Sequence, residues 1–266
     1  MAQVDFVKFF TKRLWALLAG ASFAAILKKS PIKEQKMMKN WLIAAVVGAT
    51  AFSAVAGDVT GKVKFEGTQP PERPLPLDPN CGLDFKKFNP GKRPTTRFFA
   101  VAKDGGLADV LVQIKGLKGG PNAGPLVIDQ RGCEYLPYVG AVRAGQEIHV
   151  KNSDSVLHNV HPTPKVTGNR EYNKAQIPGP MILKFTYHKP EEFLRFKCDV
   201  HPWMFSYVSI MDHGYYAVTD ANGNFTIKDV PDGTYEITAK HRKMDLKTQK
   251  VTVKGGKVVS NITLKL

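Results

Sequence analysis

Residues 196–204 read Phe196-Lys197-Cys198-Asp199-Val200-His201-Pro202-Trp203-Met204. A thiol, an imidazole and a thioether follow one another as C-x2-H-x2-M. Leu194, Phe196 and Cys198 alternate, the period of a strand with one face turned inward. The spacing predicts that Cys198 ends that strand. The short loop to Met204 then carries His201 and Met204 back over the same point.

Forty residues before Cys198, at His158, lies a second polar turn, Asn152-Ser153-Asp154-Ser155-Val156-Leu157-His158-Asn159-Val160-His161. It supplies a further imidazole, from His158 or, alternatively, from His161. Two imidazoles and one thiolate, with a weak thioether above, suit copper in both oxidation states. The thiolate favours Cu(I) and the imidazoles accept Cu(II). With no second Cys nearby, a dinuclear copper centre is not expected.

The rest of the body also reads as strands. Val59, Gly61, Val63 and Phe65 alternate, as do Val110, Val112 and Ile114, then Ile148 and Val150, then Leu183, Phe185 and Tyr187. Val208 and Ile210 follow the loop. Gly, Pro, Asn and Asp punctuate these runs, so an all-β chain of sandwich type is expected. Residues 66–80, EGTQPPERPLPLDPN, hold five prolines and read as an extended surface strap rather than a central strand. Residues 117–125 and 162–180 read as Gly/Pro-rich loops.

The two histidine-bearing stretches together resemble the cupredoxins, closest to the plastocyanin and amicyanin group. His158-Asn159-Val160 stands where that family has its first ligand, and Cys198, His201 and Met204 stand in its late ligand loop. The resemblance spans about residues 107–212. It implies a Greek-key β-sandwich, one copper ion cycling between Cu(I) and Cu(II), and metal ligands His158, Cys198, His201 and Met204. It further implies that Asn159 hydrogen-bonds across to the Cys loop. Asp199 departs from the Ser, Thr or Asn often found after the Cys, which leaves its influence on the metal open.

Farther on, Thr219, Asp220, Gly223, Phe225, Pro231, Gly233 and Tyr235 follow the run T-D-x-x-G-x-F…P-x-G-x-Y. This resembles the carboxypeptidase regulatory-like domain, a smaller prealbumin-like β-sandwich, expected at residues 213–266. Such domains begin with a strand like Gly57–Gly67, so that strand is expected to pair with the C-terminal sheet, the copper module being inserted between. Residues 57–106 would then be N-terminal strand and proline-rich strap, and 107–212 the cupredoxin domain.

Residues 37–56 read as a secretory signal peptide: Lys39, an apolar run from Trp41, and the small-residue motif Ala54-Val55-Ala56. Residues 1–36 read either as an over-extended start or as an anchor able to tether the protein to a membrane or surface. Both readings export the body to the periplasm or cell surface. In such a compartment the two remaining cysteines, Cys81 and Cys133, are expected to pair.

The chain has 266 residues, 23% of them charged, and a net charge of +15. Eight Lys/Arg and two acids in residues 1–56 leave 30 basic and 21 acidic residues in the body, or +9. That balance steers acidic partners. No basic helix, zinc finger or RNA-binding aromatic motif accompanies it, so no nucleic-acid partner is expected.

The sequence therefore predicts a non-enzymatic one-electron carrier with a redox protein partner, a cytochrome or an oxidoreductase. Trp203 and His161 are candidates for the docking edge; Trp203 reads equally as a partly buried aromatic. Copper storage or delivery, or a metal-free surface scaffold, are the alternatives. Four of the seven Met lie beyond residue 38, too few for a Met-rich copper handler, and seven His leave no second cluster for a copper oxidase.

Overall fold

The computed structural model describes residues 56–266; the readings of leader and anchor, over residues 1–56, lie outside it except for Ala56. The N-terminal part holds β1 (Ala56–Glu66), α1 (Pro79–Phe88), β2 (Leu111–Ile114), β3 (Leu126–Gln130), β4 (Tyr135–Leu136), β5 (Val139–Arg143) and β6 (Glu147–Asn152). Then come β7 (His158–Thr163), β8 (Lys174–Gln176), β9 (Gly179–Thr186), β10 (Glu191–Lys197) and β11 (Phe205–Met211). The chain finishes with β12 (Tyr216–Val218), β13 (Asn224–Pro231), β14 (Gly233–Lys240), β15 (Lys247–Val253), β16 (Gly256–Val259) and β17 (Ile262–Lys265). The fold is all-β, as the alternating runs predict, with one short helix among the described residues.

Four sheets face one another in two pairs. One pair is β5-β11-β10-β7-β8 against β4-β3-β6-β9. Between them Ile128, Ile148, Phe185, Leu194, Phe196 and Val208 form one apolar core. Cys198 and Met204 belong to that same core. The other pair sets β12-β2-β14-β15 against β1 with β13, β16 and β17. Val59, Val63, Val112, Phe225, Ile237 and Val253 lie in its separate core.

Strand β1 runs antiparallel to β13 and parallel to β16 and β17, so the first described strand belongs to the C-terminal sheet. Gly61 permits this pairing, since a Cβ there would meet the Ser260 carbonyl oxygen at 2.0 Å. Residues 107–114 depart from the expected boundary at 107. Strand β2 pairs with β12 and β14, and Leu107, Val110, Val112 and Ile114 lie in the C-terminal core. Alternation tells which face is apolar but not which sheet the strand joins.

Asn222 and Gly223 form a turn, with Gly223 at φ +78° and Asp220 Oδ1 accepting the backbone N–H groups of Asn222 and Asn224. The turn links β12 and β13, which lie in different sheets. The proline-rich strap is not extended throughout. Asp78 caps α1, its Oδ1 accepting the amides of Asn80 and Cys81, and Pro79 opens the helix, where its missing N–H costs nothing. Cys81, Asp84 and Phe85 form the buried face. Residues 162–180 contribute β8 to the sheet that bears the site.

Candidate metal centre

Strands β7 and β10 run antiparallel, with Lys197 opposite His161 and Arg195 opposite Thr163. The end of β10 therefore meets the start of β7. That places His158, the first residue of β7, beside the loop that joins β10 to β11. The loop closes on itself: Met204 N donates to His201 O at 2.9 Å, and Cys198 N to Met204 O at 3.1 Å.

The structure brings His158, Cys198 and His201 into one group whose donor atoms lie within 4.8 Å of each other. All three are buried, and Met204, 1% exposed, is buried beside them in the same core. His158 Nδ1 and His201 Nδ1 face each other at 2.9 Å, and the Cys198 sulfur lies 3.8 Å from His201 Nδ1.

The outer nitrogens are turned toward carboxylates. His158 Nε2 donates to Asp154 Oδ2 at 3.0 Å, and His201 Nε2 lies 3.4 Å from Asp78 Oδ2. A carboxylate favours the proton on the nitrogen it faces, which leaves each Nδ1 presenting a lone pair. Two lone pairs at 2.9 Å repel unless a proton or a cation lies between them. The donor set thus fits a soft metal ion with N and S ligands.

The electrostatics agree. Burial opposes charge on His158, but the Asp154 hydrogen bond and the Cys198 sulfur overcome it and raise the affinity for a proton. Burial also works against a Cys198 thiolate, yet the adjacent His158 imidazole and nearby backbone donors hold the thiol below its ordinary value. His201 is pushed down by burial and by the charge of His158, against the pull of Asp78 and Asp154. These causes favour positive charge on His158 over His201, and negative charge on the Cys198 sulfur.

Asn159 Oδ1 accepts the amides of Asp199 at 2.6 Å and Val200 at 3.4 Å, and the Cys198 thiol at 3.3 Å. It ties the Cys198–Met204 loop to β7. The Asp199 carboxylate accepts from Lys197 Nζ, His161 Nδ1 and the side-chain Nδ2 groups of Asn159 and Asn173. These donors, Lys197 first, hold it well below the usual carboxylate range. His161 stands outside the donor group: Nδ1 meets Asp199 and Nε2 meets Glu171, both at 2.6 Å. The Trp203 indole lies 5.3 Å from the His201 ring, half-buried, and its N–H donates to Cys133 O at 3.2 Å. Cys81 and Cys133 form a disulfide with Cα atoms 5.4 Å apart, fixing α1 to the sandwich.

Sequence reasoning missed Asp154 and Asp78. Asp154 had a signal, an acid four residues before His158 in a polar turn. It is fully buried and also accepts the amides of Gly132 and Cys133. Asp78 had only its helix-cap signal, and its approach to His201 crosses more than a hundred residues of chain.

The family model of the carboxypeptidase regulatory-like domain matches residues 206–266, a stretch that takes in β11 as well as β12–β17. No curated protein matches the chain. Among solved structures, a Cu-containing nitrite reductase from Thermus scotoductus is 19% identical, with a TM-score of 0.30, over 33% of this chain and 22% of that one. A single-site methionine-to-alanine mutant of amicyanin in its Cu(I) form is 19% identical, with a TM-score of 0.30, over 38% of this chain and 98% of that one. A purple cupredoxin from Nitrosopumilus maritimus is 17% identical, with a TM-score of 0.27, over 32% and 99%. The match spans less than a quarter of the nitrite reductase.

Proposed function

We propose that the protein is an exported carrier of single electrons, a mononuclear blue-copper protein of cupredoxin type. The observation that carries this reading is the buried convergence of two imidazole Nδ1 atoms and one thiol, each outer imidazole nitrogen facing a carboxylate. His158, His201 and Cys198 would hold the ion, with Met204 beside them. Copper there supplies the Cu(I)/Cu(II) couple.

The chain's own residues do the rest. Asp154 and Asp78 keep the outer nitrogens protonated and aim the Nδ1 lone pairs. Asn159 holds the Cys198 loop in one geometry for both oxidation states, which lowers the reorganisation each transfer requires. Burial keeps water off the sulfur. Trp203, packed against His201, is the side chain best placed for docking a redox protein such as a cytochrome or an oxidoreductase. Burial of all four side chains favours a carrier over a copper delivery protein, whose site has to open for exchange.

The test is the visible spectrum of the purified protein loaded with Cu(II), beside Cys198→Ala. An intense thiolate-to-copper band, absent from the variant, is the expected result. A colourless protein, or a copper signal indifferent to Cys198, overturns the proposal.

A further inference from the structure

We infer that Asp78, which lies in the proline-rich strap outside the metal-bearing sandwich, is a positioning residue of the metal site. This inference rests on the copper reading above. One carboxylate has two tasks. Its Oδ1 caps α1 through the amides of Asn80 and Cys81, and its Oδ2 lies 3.4 Å from His201 Nε2. A disulfide anchors the helix here. Its first turn carries Cys81, bonded to Cys133, and polar atoms of Asp78, Cys81 and His201 gather within 4.8 Å. Cys133 in turn accepts the Trp203 indole N–H, and Trp203 packs against the His201 ring. The outer edge of His201 is therefore held between Asp78 and Trp203, and only 7% of the residue remains exposed.

Two consequences follow from elementary electrostatics. A carboxylate facing Nε2 fixes the proton there and presents Nδ1 to the metal. A negative charge so close to a ligand stabilises the more positive oxidation state, so Asp78 lowers the reduction potential.

The test compares the reduction potential and Cu(II) spectrum of the full chain with Asp78→Asn and Asp78→Ser. Both replacements are good helix caps, so α1 stays formed while the carboxylate is lost. Asp245→Asn removes an exposed charge elsewhere and serves as the control. The expected result is a higher potential in both Asp78 variants, an unchanged potential in the control, and a thiolate band retained in all. Potentials equal to wild type, or matched by Asp245→Asn, overturn the role of Asp78 and leave the copper reading standing. A wild-type protein without a Cys198-dependent band overturns both.

Discussion

The side-chain oxygen of Asn159 accepts the backbone N–H of Asp199 at 2.6 Å, stitching the start of β7 to the residue that follows Cys198. Together with the pairing of β7 and β10, it joins two chain segments at one site. Asn159 is 8% exposed, so no bulk water waits to replace it. Asn159→Ala leaves the Asp199 amide without its partner, and a loss of about 1–3 kcal/mol is expected from a buried unpaired donor. Denaturant unfolding of the metal-free protein measures this, and an unchanged midpoint would show that the loop holds itself.

Removing the disulfide tests the anchoring of α1. Cys81 and Cys133 are separated by 52 residues. Chain-entropy reasoning gives about 4 kcal/mol for a loop of that length. Cys81→Ala/Cys133→Ala should therefore unfold at markedly lower denaturant than wild type, and reductant should lower the wild type toward the variant. Equal midpoints with and without reductant would mean that packing of Phe85 against the sandwich already fixes the helix.

The all-β class and the Cys198-His201-Met204 part of the candidate site were readable because both are local. Period-2 alternation needs only a few residues, and Cys198, His201 and Met204 share one short loop. The pairing of β2 was not readable: Ile114 meets Ile237 across more than a hundred residues, and alternation specifies a face without a partner. Helix α1 had its start signal in Asp78-Pro79, but the surrounding prolines read more strongly as extended chain. The two carboxylates at the outer imidazole nitrogens were hidden for a related reason. One acts through a turn whose shape is tertiary, and the other comes from a distant segment held by a disulfide.

Two glycines should respond in opposite directions. At Gly61 an added Cβ would meet the Ser260 carbonyl oxygen at 2.0 Å, backbone that cannot step aside. Gly61→Ala forces β1 away from the chain between β16 and β17 and should cost about 2 kcal/mol or more. At Gly82, inside α1, an added Cβ meets nothing within 4 Å. Gly82→Ala should gain about 0.5–1 kcal/mol by restricting the unfolded chain. Thermal unfolding of both variants decides, and a loss at Gly82 would place α1 under a constraint not visible in its packing.

His241 sets an acid limit on stability. It is 2% exposed and packs 4.9 Å from the Phe99 ring. Burial, helped by the Arg242 and Lys243 charges, pushes it down to about 4, although the Phe98 backbone pulls the other way. In the unfolded chain it titrates near its ordinary value of about 6.5. Between those two values the unfolded state binds a proton that the folded state refuses, so stability falls as pH falls through that window. The full difference amounts to about 3 kcal/mol. His241→Gln, which has no proton to gain, should lose less stability than wild type when urea unfolding is compared at about pH 7.5 and about pH 4.5, on either side of most of that window. Parallel losses in the two proteins would show that the folded C-terminal sandwich accommodates a charged imidazole at this position.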